Sequence, residues 1–279
     1  PVVEGSVTIR NSLDVELLQD KTEITGDLLV TSEGLSSLSL PNLKIIGGAL
    51  RLEENTALSQ ATFAALESIG QGLSLLSNAT LPSVDLPQLK SAGGTISLRE
   101  NTLLTAFEGP LLDHVGGGLD VDMNPVLTDV ELNVVTTVGG QVLFGENPLI
   151  EHFSLEAVES MGGIAVIASP TLRTLIFTKL NTMTGPVDIL DNTLLEAIDM
   201  PELVEVTGDF KIRGGSSGHA ALTTLALAAL KTVSGALNVS GNDALETVSL
   251  AGATEVGEFN CTENAALKTL ETPLLKTVE

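Results

Sequence analysis

The stretches Gly48-Ala-Leu-Arg-Leu-Glu-Glu-Asn55 and Gly140-Gln-Val-Leu-Phe-Gly-Glu-Asn147 share one frame: Gly, two apolar residues two apart, then Asn three residues further on. The frame recurs down the chain. Taking the residue seven before each Asn as anchor gives Gly48, Gln71, Gly94, Gly117 and Gly140, evenly spaced by 23 residues. Gly185 follows two turns later, with an anchor near Gly162 between, and Gly208, Gly235 and Gly257 continue the series. Earlier turns begin at Gly26 and, in part, near Gly5. The step into Gly235 carries an insertion, legible as Gly214-Gly-Ser-Ser-Gly218. A fixed period in this range marks stacked repeats, here about eleven turns after an N-terminal unit.

Each turn reads as three short segments. The first alternates apolar and polar residues, as at Leu50 and Leu52, Ile96 and Leu98, or Val187 and Ile189. The second alternates again, as at Leu38 and Leu40, Val84 and Leu86, or Leu225 and Leu227. Period-two alternation is strand, with every other side chain directed into a core. The third is a Leu-x-x-Ile step such as Leu43 with Ile46 or Leu66 with Ile69. Pro41, Pro87, Pro201 and Pro273 follow the second segment, where the chain must turn rather than pair. Gly-Gly pairs such as 47–48, 93–94 and 116–117 break any helix between turns. Only Ser12–Gln19 has the apolar spacing and N-cap residue of a short helix, read as a cap with Ser12 at its start.

A unit this short cannot enclose a core, so the turns must stack into parallel ladders. The expected fold is an all-β parallel β-solenoid. Residues 1–25 form an N-terminal strand and capping helix, and 26–279 form continuous solenoid repeats. Asn55, Asn78, Asn101, Asn124, Asn147, Asn192, Asn242 and Asn264 then form a column at one corner. There their amides bond backbone groups that the bend leaves unpaired. Ser169 stands in that slot in one turn, and Gly215 is read into it in another. The last turn, through Leu275 and Val278, has no cap. We expect the chain to continue past Glu279, or this end to pair with another molecule.

The chain of 279 residues carries 13 Lys+Arg against 36 Asp+Glu, a formal charge of −23. That acidity excludes a nucleic-acid binder held by a basic footprint, and no apolar run is long enough for direct membrane insertion. With 7 Phe and neither Tyr nor Trp, no aromatic sugar platform is signposted. One Cys excludes a disulfide framework and a multi-cysteine metal site. Cys261 falls at an inward strand position and reads as a buried packing residue. The chain opens at Pro1 with no initiator Met or signal core, so a trimmed start is expected, with signal and anchor outside this sequence.

The combined pattern resembles the receptor L-domain family. It is carried best by Gly5-Ser-Val-Thr-Ile9, the short helix, Thr22-Glu-Ile-Thr-Gly-Asp-Leu28, Leu38-Ser-Leu-Pro-Asn-Leu43 and Ile46-Gly-Gly48. The resemblance spans essentially the whole chain. It implies a leucine-rich-repeat-like, right-handed β-solenoid. The single Cys and the number of turns bring the chain closer to microbial cell-surface members than to growth-factor receptors. It also implies an extracellular or surface-displayed recognition module, without fixing a ligand.

His114, His152 and His219 occupy different slots, so no metal cluster is expected. Asp120-Val-Asp-Met-Asn124 mimics the start of a calcium loop, but Pro125 replaces the turn glycine. Asp120 and Asp122 share an outward face, as a carboxylate pair would, with Arg99 beside Asp122 as a plain ion pair. Asn78, Asn238 and Asn260 fit the glycosylation pattern. The feature that stands out is outward Leu143, Ala165, Ile167 and Leu190 on consecutive rungs, with Pro186 beside them and Asp122, Asp188, Lys211 and Arg213 as a polar rim. The expected function is a non-catalytic surface recognition or adhesion module. Its partner is a protein, a surface glycan or a second copy, and no cofactor is called for. A structural spacer or surface-layer scaffold is the alternative, and a polysaccharide-processing β-helix enzyme the third reading.

Overall fold

The computed structural model describes residues 1–215 and 219–278, so Ser216, Ser217 and Gly218 of the insertion and the terminal Glu279 lie outside the described residues. The fold is an all-β parallel β-solenoid of about twelve turns with almost no helix. It divides into two compact units, Pro1–Val138 and Gly139–Glu279.

In the first unit three parallel ladders run along the stack. Ladder one joins Val7–Ile9, Leu28–Val30, Leu50–Glu53, Leu73–Leu76, Ile96–Arg99 and Leu119–Asp122 in register. Ladder two holds the second segments, and ladder three the short strands from Val2–Val3 to His114–Val115 and Thr137–Val138. Inward residues of all three are buried, among them Leu50, Leu52, Leu38 and Ile46. Parallel pairing follows because every turn enters ladder one in the same direction, one repeat after the last. Ladder two is interrupted once in this unit, between Val84–Asp85 and Ala106–Glu108. A cleft of about 280 Å³ lined by Val84, Asp85, Leu86, Pro87, Ala106, Glu108 and Pro110 opens there.

The helix is shorter than the sequence spacing predicts and starts differently: it spans Ser12–Glu16, and Asn11 rather than Ser12 is its N-cap. Asn11 Oδ1 accepts from the Leu13 and Asp14 amides at 2.9 and 3.2 Å, while Asp14 Oδ2 accepts from the Asn11 amide at 3.2 Å. This reciprocal box satisfies amides that a serine one residue later would leave open. Val15 and Leu18 are buried, while Leu13 and Leu17 face solvent.

The second unit repeats the arrangement. Its ladder one joins Val142–Gly145, Ile164–Ile167, Val187–Leu190, Phe210–Arg213, the C-terminal half of Thr232–Ser240 and the end of Glu255–Asn260. Ladder two is interrupted between Ala197–Asp199 and Thr224–Ala226, the turn that holds the insertion. Phe144, Phe153, Phe177 and Phe210 fill the core. The first two ring centroids lie 4.7 Å apart, and the second and third 6.2 Å apart. The last turn is open, with Leu270, Leu274 and Val278 exposed. Cys261 is half-buried rather than buried, because it lies in that turn.

At two positions entering ladder one in the first unit the adjacent turn leaves no room for a side chain. A Cβ on Gly93 would lie 2.2 Å from the Gly70 carbonyl oxygen, and one on Gly116 would lie 2.3 Å from that of Gly93. The obstacle is backbone of the adjacent turn, which cannot rotate away. Gly93→Ala should therefore cost about 2 kcal/mol of stability, read as a lower midpoint in urea unfolding. An unchanged midpoint would show that the turns separate more easily than the ladder implies.

Candidate recognition face and the corner ladder

The corner asparagines of the first unit form a directed chain of amides. Asn78 Oδ1 accepts from the Asn55 backbone amide at 3.3 Å and from Asn55 Nδ2 at 2.9 Å. Asn78 Nδ2 in turn donates to Leu52 O of the preceding turn at 2.8 Å and to Asn101 Oδ1 of the following one at 3.0 Å. Asn101 repeats the set toward Leu75 O and Asn124 Oδ1, and Asn124 Nδ2 reaches Leu98 O at 2.8 Å. The Asn78 side-chain amide thus makes its two donations and two acceptances with no exposure to water. The column starts earlier than its asparagines suggest: the Ser32 amide donates to Asn55 Oδ1 at 2.9 Å.

A second part of this corner escaped sequence reading. The residue before each corner amide takes a left-handed backbone: Glu54, Ser77, Glu100 and Met123 in the first unit have φ between 53° and 57°. Glu146, Ala168, Asp191 and Glu263 do the same in the second. Gly241, before Asn242, joins them at φ 67°, and the eight non-glycine residues each carry a backbone cost of about 1–2 kcal/mol. The turn this residue makes is what aims the amide inward. No composition signal marks the slot, since Glu, Ser, Met, Ala and Asp all fill it.

In the second unit the column contains exceptions. Asn192 Nδ2 donates to Val166 O at 2.9 Å, and Asn242 Nδ2 donates to Ile212 O at 3.1 Å and Asn264 Oδ1 at 3.2 Å. Asn147 is buried, with Nδ2 donating to Gly145 O at 2.7 Å. Asn264, in the open last turn, is half-buried and reaches Val239 O and Cys261 Sγ. Ser169 keeps the backbone part of the pattern, donating its amide to Asn192 Oδ1, but its short hydroxyl is buried without a partner. The slot assigned to Gly215 belongs instead to His219. The Leu222 amide donates to His219 O as Leu195 does to Asn192 O and Leu245 to Asn242 O. The insertion lies before the slot, which moves the corner residue four places on.

The outward face of ladder one in the second unit carries the apolar cluster. Leu143 pairs in register with Ala165, and that column continues through Asp188 and Lys211. Ile167 pairs with Leu190, and that column continues to Arg213. Leu143 and Ile167 are each 41% exposed and Leu190 is half-buried. Ala165 departs from expectation: it is only 6% exposed, because a methyl between Leu143 and Asp188 is overshadowed by both. The cluster is therefore three large side chains over a small floor, with exposed Pro186 nearby in sequence. Its rim is ion-paired, Arg213 to Asp188 at 2.8 Å and Lys211 to Asp209 at 2.5 Å.

The other candidates are accounted for locally. In the first unit Arg99 reaches both Asp120, at 3.6 Å, and Asp122, at 3.2 Å. Burial, aided by Asp122, pushes the Asp120 carboxyl above its ordinary range against the pull of Arg99 and a bond from Ser97. Asp120 and Asp122 point outward while the Asn124 amide points into the corner, so the calcium-like run does not converge on a cation. His114 Nδ1 pairs with Thr137 Oγ1 at 2.7 Å, and His152 Nδ1 with Thr174 Oγ1 at 2.8 Å. Among the described residues no three His, Cys, Asp or Glu side chains are grouped to hold a metal ion. Asn78 is committed to the corner, whereas Asn238 and Asn260 pair in register on the outer face.

The chain matches no family model, no curated protein and no solved structure.

The two kinds of polar residue should respond differently to substitution. Asn78→Leu strips partners from the Asn55 amide and from Leu52 O, and should lower stability by about 3 kcal/mol. Asp120→Asn, on the outer face, should move it by less than about 0.5 kcal/mol. Thermal melts of the two variants beside the parent give the order, and the reverse order would refute the inward and outward roles.

Proposed function

We propose that this chain is a non-catalytic recognition or adhesion module, working outside the cell or at its surface, that holds a partner on the outer face of ladder one in the second unit. The observation that carries the reading is the cluster of exposed Leu143 and Ile167 with half-buried Leu190 on consecutive rungs, Ile167 and Leu190 in register and Leu143 in the neighbouring column. A ladder facing only water has no use for large apolar side chains in adjacent slots, since each contact-sized patch left wet forgoes its burial energy. Leu149 and Leu194, exposed in this unit outside the open last turn, are separated by a turn carrying Thr171. The ion-paired rim gives orientation around an apolar centre, the layout of a protein interface.

The chemistry favours a protein partner over a glycan. There is no Tyr or Trp, and six of the seven Phe are buried in the core. The resemblance to the receptor L-domain family supports the same class of function. Asp120 and Asp122, the pair an enzyme reading would use, share one arginine, and both carboxylates are engaged by it.

The test compares the parent with Ile167→Asp/Leu190→Asp in analytical ultracentrifugation and in capture of cell-surface proteins on immobilised chain. The expected variant keeps the parent's circular dichroism and melting temperature but loses at least tenfold in affinity for whatever the parent holds. A variant that binds and assembles like its parent removes the patch as the site. A parent with no partner at all favours the structural-spacer reading.

A further inference from the structure

We infer that the corner at His219 is an acid-sensitive rung: protonation of this buried imidazole drives it out of the slot that an amide fills in neighbouring turns. The inference concerns the fold itself and stands apart from the recognition reading.

The geometry carries it. His219 has no exposed surface, and neither Nδ1 nor Nε2 has a hydrogen-bond partner. The next residue in the column, Asn242, has the matching defect, its Oδ1 buried and unpartnered. In the first unit the equivalent oxygen of Asn78 accepts two bonds from the corner before it. A ring cannot do what a primary amide does there. Neutral imidazole has one donor and one acceptor, fixed across the ring, and the slot needs donors and an acceptor on one short arm.

Two groups face the ring: the Asp191 carboxylate from the preceding corner and the Asn242 amide from the following one. Both favour the protonated form, yet burial outweighs them and holds the His219 pKa below its ordinary value. An uncharged ring is tolerated in the slot, whereas burying an imidazolium there costs more than the Asn242 amide and the Asp191 carboxylate return. Asp191 supplies the destination. It is only half-buried, and its carboxylate stands against Gly215, where a Cβ would lie 2.2 Å from Oδ1. A charged ring moving toward that carboxylate gains both an ion pair and water.

The direction of the pH dependence follows. The unfolded chain takes up the His219 proton near pH 6.5, and the folded chain only at lower pH. Stability is therefore complete above about pH 6.5 and is lost as pH falls from there through the folded-state value.

The test uses the whole chain and three variants, His219→Asn, His114→Asn and His152→Asn, with melting temperatures at pH 7.5 and 5.5. His219→Asn restores the amide, so it should raise the melting temperature at pH 7.5. It should also shrink the loss between the two pH values by roughly 2–4 °C. His114→Asn and His152→Asn should leave that loss as in the parent. Should His219→Asn fail to fold, an NMR titration of the parent decides. The His219 ring must titrate below 6.5, with the Asn242 side-chain signal moving alongside it. An equal pH loss in parent and His219→Asn, or a ring that titrates at 6.5 or above with Asn242 unmoved, overturns the inference.

Discussion

Everything in this fold rests on the burial of backbone polar groups where the chain bends away from ladder one. Within the ladders, neighbouring strands about 4.8 Å apart satisfy one another. At the bend the strand ends, yet the bend is inside, covered by the turns above and below. A buried unpaired amide or carbonyl there would cost more than the whole margin of one turn. An asparagine repeats the two functions of a peptide group on a side chain, so it extends the ladder around the corner. The left-handed residue before it is part of the same solution. Its backbone cost is accepted because the four hydrogen bonds of the following amide exceed it.

The outside of the solenoid is governed by a different balance. Thirteen basic residues are set among thirty-six acidic ones, and in-register stacking brings side chains of adjacent turns together. Several cations reach carboxylates of adjacent turns: Arg99 to Asp120 and Asp122, Arg173 to Glu151 and Glu196, Lys90 to Glu67 and Lys268 to Glu246. Each exposed pair contributes little by itself. Their combined effect is to break up columns of like charge that stacking would otherwise create.

The repeat made the architecture legible in advance, because a period of 23 with two alternating segments admits few packings. The asparagine column was legible for the same reason. Four things were not. Asn11 caps the helix because a residue in an extended conformation, just outside the helix, presents its side chain to the first amides, and spacing alone does not separate it from Ser12. His219 was hidden by counting forward from Arg213, since an insertion before the corner and one after it look alike in the sequence. Ala165 was read as exposed because alternation gives direction but not the height of neighbouring side chains. The left-handed slot left no trace at all, being set by backbone geometry that several residue types adopt under compulsion.

The four-residue insertion has a further meaning for how such a chain changes length. Val187–Leu190 pairs in register with Phe210–Arg213, and Phe210–Arg213 with residues 237–240, although the second step in sequence is longer than the first. Asn242 still finds Ile212 O thirty residues back, as Asn78 finds Leu52 O twenty-six back. Extra chain is thus accepted between the end of a ladder-one strand and its corner residue without loss of ladder-one register on either side, although ladder two is interrupted in that turn. That junction recurs in every turn, so the molecule offers a series of equivalent addresses for inserted sequence. Variation between descendants, or a grafted binding loop, could enter at one rung while the rungs beside it keep their register.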